Sequence, residues 1–293
     1  MPSSPLDSGL TALLGRVWPA LPAGIARAAG LGFAWTAVSR PFVRREGGRI
    51  VGHVGLIELP LVVAGRRCRV GAIHAVCTDP DRRGRGLGRA LMEEALLAAR
   101  ARYDTLVLTT LIPDFYAKLG FRAVREHAFS RALPSLPAAA GGRVLAPTPD
   151  DARLLRRLLA HRAPVSERLG SLENGTVLVI ALMLTWGDLS RVYYHAGLDV
   201  VTVHEVRERT LLLYDVVGAA IPPLESLIAA IGAVGDRVVT FFAPDRLGEG
   251  FRPEPWDVAR AEAHGDHWFA GLMALGPLPG EDTGFMLPPL SRT

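Results

Sequence analysis

The densest chemistry in the sequence lies between Val76 and Leu91, VCTDPDRRGRGLGRAL. Glycines at 84, 86 and 88 let successive main-chain N–H groups turn inward with no Cβ in the way. Arg82, Arg83, Arg85 and Arg89 place mobile positive charge around the same spot. An apolar run ends at Thr78, the Asp79-Pro80 pair breaks it, and an amphipathic helical pattern starts directly behind the loop. That order builds an anion site, because a helix N-terminus adds unpaired N–H groups and the positive end of its dipole, both favourable to phosphate oxygens.

Two familiar phosphate loops do not fit. A P-loop ends in Gly-Lys-Ser/Thr, and this loop offers Gly88-Arg89-Ala90. The dinucleotide fingerprint needs G-x-G-x-x-G and an acidic residue after the next strand. Here the spacing is G-x-G-x-G, and Asp104 precedes the run LVLTT instead of following it.

With Arg83, Gly86 and Gly88 in an R-x-x-G-x-G pattern, preceded by V-C-T-D-P and followed by a helix, the stretch resembles the acetyl-CoA motif of the GNAT superfamily of N-acetyltransferases. After one more strand comes PDFYAKLGFRAV, which is similar to the F-Y-x-x-x-G-F signature of that superfamily, with Phe115, Tyr116, Gly120 and Phe121 in register. The resemblance implies an α/β (α+β) fold with a mixed, mainly antiparallel sheet flanked by helices. It implies acetyl-CoA as cosubstrate, held by the main chain of Val76, Cys77 and Thr78 and by Arg83, Gly84, Arg85, Gly86, Leu87, Gly88 and Arg89. The acetyl group would pass directly to a primary amine, with a small-molecule acceptor expected over a protein.

Acetyl transfer requires a polarised thioester carbonyl, a neutral amine and a donor to the leaving thiolate. A strand N–H aimed at the carbonyl oxygen meets the first requirement. Tyr116 is the candidate acid, since a phenol of pKa ~10 keeps its proton at neutral pH and a thiol has pKa ~8.5; the alternative is a core tyrosine with a hydrogen-bonded hydroxyl. His74 lies two residues before Val76, on the same face of a regular strand, and is one base candidate, the alternative being a packed histidine. Glu58, inside GLIELPL, is the other; an unpaired carboxylate in that run would be costly, so it lies either at the strand's end in solvent or in a polar cleft. In aminoglycoside-modifying members of the superfamily the terminal carboxylate is thought to reach the site; here Thr293 follows an apolar anchor in GFMLPPLSRT, which allows a docked tail, with a frayed end as the default. Cys77 reads as a small buried apolar residue. His264, Asp266 and His267 in HGDHW have no third ligand cluster, so no metal is expected.

The elements that must position these groups are legible in outline. From Leu10 to Leu31 apolar residues recur at helical spacing, interrupted by Pro19 and Pro22, which predicts two short helices. A hairpin is expected with its turn at Glu46-Gly47-Gly48, then a strand over Arg69 to Thr78, a helix from Leu87 to Arg102, a strand over Leu106 to Thr110, a short helix carrying Tyr116 and a strand near Arg122 to Ser130. At 293 residues the chain suits two domains. We place a catalytic domain at 1–133, a linker at 134–142 in the uncharged LPSLPAAAGG stretch, and a second GNAT-like domain at 143–293. In the second half strand, turn, helix, strand and L-G-x-G-F repeat the order of Ile73 to Phe121, but VVGAAIPP stands where the first half has RRGRGLG, so the phosphate site is lost.

Hydrophobic residues make up 49% and charged residues 21%, which allows a sizeable core and excludes global disorder. A net charge of +4 suits an anionic cofactor and does not argue for nucleic acid. Two cysteines fit a reducing cytoplasm. The N-terminus lacks a basic segment followed by an apolar core, so no secretory signal is read. Thr176 to Trp186, the longest apolar run, is short of the ~20 residues a membrane helix needs. The second domain is expected to shape the acceptor pocket or a homo-oligomer contact. The rival reading is a catalytically silent acyl-CoA sensor or interaction module.

Overall fold

The computed structural model describes residues 6–133, 141–172, 175–232, 235–280 and 284–293. Prolines 19 and 22 divide the first segment as expected, into α1 (Ser8–Val17) and α2 (Leu21–Gly30). The Asp7 carboxylate caps α1 by accepting from the N–H groups of Gly9 and Leu10. The hairpin follows as β1 (Ser39–Glu46) and β2 (Arg49–Val63), turning through Gly47 and Gly48, both at positive φ. Then come β3 (Arg66–Thr78), α3 (Leu87–Arg100) and β4 (Leu106–Thr110). β3 and β4 run parallel, so α3 is the crossover between them, burying Leu91, Met92, Ala95, Leu96 and Ala99 on one face.

The strand expected near Arg122 to Ser130 is in fact two. A short helix, α4 (Pro113–Ala117), carries Tyr116, and the chain then forms β5 (Arg122–Ala123) and β6 (Glu126–Ala132), which join different sheets. The second half contains β7 (Arg143–Val144), α5 (Pro149–Ala160), β8 (Leu169–Ser171), α6 (Gly175–Thr185), β9 (Val192–His195), β10 (Val200–Arg207) and β11 (Thr210–Val217). It closes with α7 (Leu224–Ile231), β12 (Arg237–Thr240), β13 (Arg252–Trp256), α8 (Val258–Ala263) and β14 (Gly271–Leu275). The linker expected at 134–142 lies mostly outside the described residues.

The first sheet runs β1-β2-β3-β4-β14-β5, with β8 on the far end of β2; the second runs β13-β6-β12-β11-β10-β9-β7. Each sheet has a parallel pair joined by a helix, β3 and β4 through α3, β11 and β12 through α7. The strand beside each pair comes from the other half of the sequence. β14 lies antiparallel to β4, and β6 lies antiparallel to β12. A division at 134–142 therefore separates stretches of sequence whose sheets are interlocked.

A buried ion pair reinforces the exchange. Arg292 Nη2 lies 2.5 Å from Glu126 Oε1 with side chains 6% and 1% exposed, and the Leu287 N–H donates to the same oxygen at 2.9 Å. Arg292 also lies over the Phe269 ring at 4.6 Å. Removing one partner of such a pair leaves a buried charge unpaired, a loss of about 3–5 kcal/mol.

A chain ending at residue 133 would lack β14 between β4 and β5 and would leave β6 without β12 and β13. We expect such a fragment to show no cooperative thermal transition by circular dichroism. A sharp unfolding transition in the fragment would mean that the exchanged strands are dispensable.

Candidate active site

The site begins where β3 ends. The Asp79 carboxylate, almost fully buried, accepts from the Asp81 N–H at 3.0 Å and folds Pro80–Arg82 into a tight turn. Arg16 of α1 clamps the same turn, 2.8 Å from Asp79 and 2.9 Å from Asp81. Gly84 and Gly86 follow at φ 76° and 74°, and Gly86 caps α3 in the left-handed conformation that a side chain would disfavour. The Ala90 N–H is bonded to the Gly86 carbonyl, so the first turn of α3 presents N–H groups without helical partners.

The arginines divide by occupation. Arg82 is paired with Glu46 at 3.1 Å and Arg89 with Glu93 at 2.9 Å, one helical turn on. Among the described residues Arg83 makes only a long contact, to the Thr78 carbonyl at 3.4 Å, and both Arg83 and Arg85 are exposed beside the glycines. Those two are the loop arginines least engaged by carboxylates.

Behind the loop, β3 and β4 part. Their parallel register covers Gly71 with Leu106 and Ala72 with Val107. Beyond it, no β3–β4 strand pairing is found among the described residues, and residues 73–76 and 108–110 line one cavity. A bulge shapes the β3 side: His53 pairs with Cys77 and Gly55 with His74, so Ala75 and Val76 stand opposite Val54 alone. Ala75 is held at φ 47°, and the His53 Nδ1–H donates to its carbonyl at 2.8 Å. The bulge breaks strand alternation, so His74 shares a face with Cys77 and not, as a regular strand would have it, with Val76.

His74 is buried, its Nε2 2.9 Å from Ser39 Oγ and its ring edge-on to Trp35 at 4.6 Å. The ring lies so close over β2 that a Cβ at Gly55 would sit 2.2 Å from Nε2, which explains the glycine there. Burial, with the neighbouring His53 adding to it, pushes the His74 imidazole down to about 3. Burial also pushes the Tyr116 phenol up to about 12 and the Cys77 thiol up to about 12. Both are therefore neutral at physiological pH, and Cys77 is no nucleophile in the resting protein. Tyr116 is fixed by edge-on contacts to Phe115 and Phe121. Glu58 stands apart: Arg69 grips it through Nε at 3.0 Å, the Tyr103 hydroxyl donates to it at 3.2 Å, and its carboxyl is held below the usual range chiefly by the Arg69 hydrogen bond.

A cavity of about 620 Å³ gathers His74, Ala75, Val76, Thr109, Thr110 and Tyr116, but not Glu58. Its outer walls come from the rest of the chain: Trp18 and Leu21 near the turn between α1 and α2, Trp35, and a stripe of α6, Val177, Ile180, Ala181 and Leu184. Thr293 reaches it too, docked by the Thr109 hydroxyl, which donates to its main-chain oxygen at 2.7 Å. α6 has no polar face and packs on α2, with Leu184 against Gly24. Arg16 and α6 escaped the sequence reading; Thr293 takes the docked alternative that its apolar anchor offers in place of a frayed end. Among the described residues no helix is long and apolar enough to cross a membrane, and no cluster of His, Cys, Asp and Glu could hold a metal.

Comparison with known proteins fits this geometry. Residues 35–124 match the family model described as Acetyltransferase (GNAT) domain. A 90-residue stretch is 39% identical to the glucosamine 6-phosphate N-acetyltransferase of Trypanosoma brucei brucei, covering 29% of this chain and 60% of that protein's length. Two solved structures resemble nearly the whole chain. A GCN5-related N-acetyltransferase from Kribbella flavida aligns at TM-score 0.51 and 14% identity over 91% of this chain and 67% of its own. A probable N-acyltransferase from Enterococcus faecalis, titled a conserved protein of unknown function, aligns at TM-score 0.55 and 13% identity over 91% and 68%. At such identities the likeness concerns the fold.

The buried imidazoles make stability depend on pH. Burial lowers His53 and takes His74 to about 3 and His204 to about 4, against an unfolded value near 6.5. Below about pH 6.5 the unfolded chain takes up protons that the folded chain refuses, so the stabilisation is full above that pH and declines below it, by up to about 1.4 kcal/mol per pH unit per histidine. Thermal melts should be level between about pH 7 and 8 and fall between pH 6.5 and 5. A level melting temperature across that interval would contradict the burial of these rings.

Proposed function

We propose, on the premise that residues 35–124 belong to the GNAT acetyltransferase family, that the chain is an acetyl-CoA-dependent N-acetyltransferase acting on a primary amine of a small molecule. The observation that carries this reading is the alignment of the phosphate loop, the parted strands and Tyr116 along one path. The pyrophosphate would lie on the N-terminus of α3 with Arg83 and Arg85 beside it. The pantetheine arm would lie along the free edge of Val76, Cys77 and Thr78 as an added strand. The thioester would then lie in the cavity near Tyr116. Both cysteines are free thiols, which suits a cytoplasmic setting, and the second half serves the reaction as a wall of the pocket.

Transfer needs no covalent enzyme intermediate. The amine nitrogen attacks the thioester carbon, a main-chain N–H of the parted β3 edge stabilises the oxygen, and the C–S bond breaks as C–N forms. Complete transfer of the Tyr116 proton to a thiolate whose acid has pKa ~8.5 would be uphill by roughly 5 kcal/mol with the phenol near 12. We therefore assign Tyr116 as a hydrogen-bond donor to the sulfur while charge develops. The proton that ends on sulfur is one released by the amine nitrogen after attack. His74 is too weak a base for this proton and Glu58 faces another way, so the amine must enter neutral.

Tyr116→Phe should lower kcat by about 10²–10³ with no loss of acetyl-CoA affinity, measured by release of CoA thiol and by calorimetry. Binding of acetyl-CoA with no turnover of any amine by the natural sequence would favour the silent sensor. The logarithm of kcat/KM should rise with pH at a slope of about one towards the pKa of the amine itself, ~10. An inflection near pH 6.5 would return the base role to His74.

A further inference from the structure

We infer that the acceptor is a monoamine on an aromatic or branched aliphatic body, and not a sugar phosphate or a polyamine; this rests on the acetyltransferase reading above. Among the described residues nine large apolar side chains are exposed, and five of them, Trp18, Val38, Leu111, Ile112 and Leu184, line this one cavity while standing 37–65% exposed. Scattered exposed apolar residues need no explanation, but their convergence on the mouth of a pocket marks a binding surface. Deeper in, the wall continues apolar through Trp35 and the α6 stripe.

The charge pattern points the same way. Among the described residues no side-chain carboxylate lines the cavity, and the main-chain oxygen of Thr293 there is taken by the Thr109 hydroxyl, so additional ammonium groups would meet no side-chain counter-charge. The charged side chain in the lining, Arg292, is held by Glu126 and by the Ala270 carbonyl at 2.8 Å, so its charge is already balanced and an acceptor phosphate would compete with Glu126 for it. Each sugar hydroxyl left unpaired against these walls would weaken binding by roughly tenfold. An aryl or alkyl body instead gains from the same surface, and a single ammonium can shed its proton before entry.

The test uses the full chain with acetyl-CoA and measures thiol release with 2-phenylethylamine, isoamylamine, glucosamine 6-phosphate and spermidine. We expect kcat/KM for the two apolar amines to exceed the others by at least about 100-fold. Leu184→Ser and Ile112→Ser, at half-exposed and exposed rim positions, should each raise KM for 2-phenylethylamine by roughly tenfold without raising KM for acetyl-CoA, their melts confirming the fold. Faster turnover of the sugar phosphate or the polyamine would overturn the inference and leave the acetyltransferase reading standing. So would an unchanged KM in both rim variants, or activity that climbs with acyl chain length from acetyl-CoA to hexanoyl-CoA, which would give the cavity to the donor. Absence of thiol release with every amine would remove the acetyltransferase reading, and this inference with it.

Discussion

The parting of β3 from β4 is the constraint on which the site depends. Two parallel strands normally satisfy each other's main chain along their length, yet here the register ends after Ala72 and Val107. The divergence is held from several sides: Ala75 sits at positive φ, His53 holds its carbonyl, and the His74 ring lies across Gly55. A residue such as Ala75 in that conformation costs of order 1–3 kcal/mol and persists where its surroundings over-determine it. The burial that neutralises His53 and His74 is thus part of the same construction that opens the sheet.

The interlocked sheets bear on the opened one. A parallel pair that splays needs support on its far edge, and β4 receives it from β14, whose own neighbour is β5. The second sheet receives β6 in the corresponding place. The second half has no glycine loop of its own, yet it supplies the strand that backs the site, the α6 wall and the docked residues 292 and 293. Its contribution to the site is geometric, and the exchange of strands ties that contribution to the first sheet.

Much of the first sheet was legible because its signals are local. The glycines, the Asp79-Pro80 break and the helical period of Leu91 to Ala99 lie within a few residues of the structure they cause, and the strand over Leu106 to Thr110 falls where its apolar run lies. The pairing of β14 with β4 was not legible, since GLMAL carries no mark of a partner so far away in sequence. Nor was the bulge: alternation is an inference about a regular strand, and Ala75 is not a residue that announces a positive φ. α6 hid for the opposite reason, because a segment apolar on all sides has no period to read. Glu58 looked suspicious in an apolar run, but its partners Arg69 and Tyr103 come from the neighbouring strand and from beyond α3.

Ribosomes make proteins from one end, and that gives the placement of β14 a temporal meaning. β4 leaves the ribosome roughly 160 residues before the strand that covers its edge, an interval of about 8–30 s at 5–20 residues per second. During that time the nascent chain carries an open strand edge and an unroofed apolar pocket floor, both ready to join other chains. Cells that make this protein must shelter that edge or translate quickly past it, and yield should depend on the pace of synthesis more than on the stability of the finished fold.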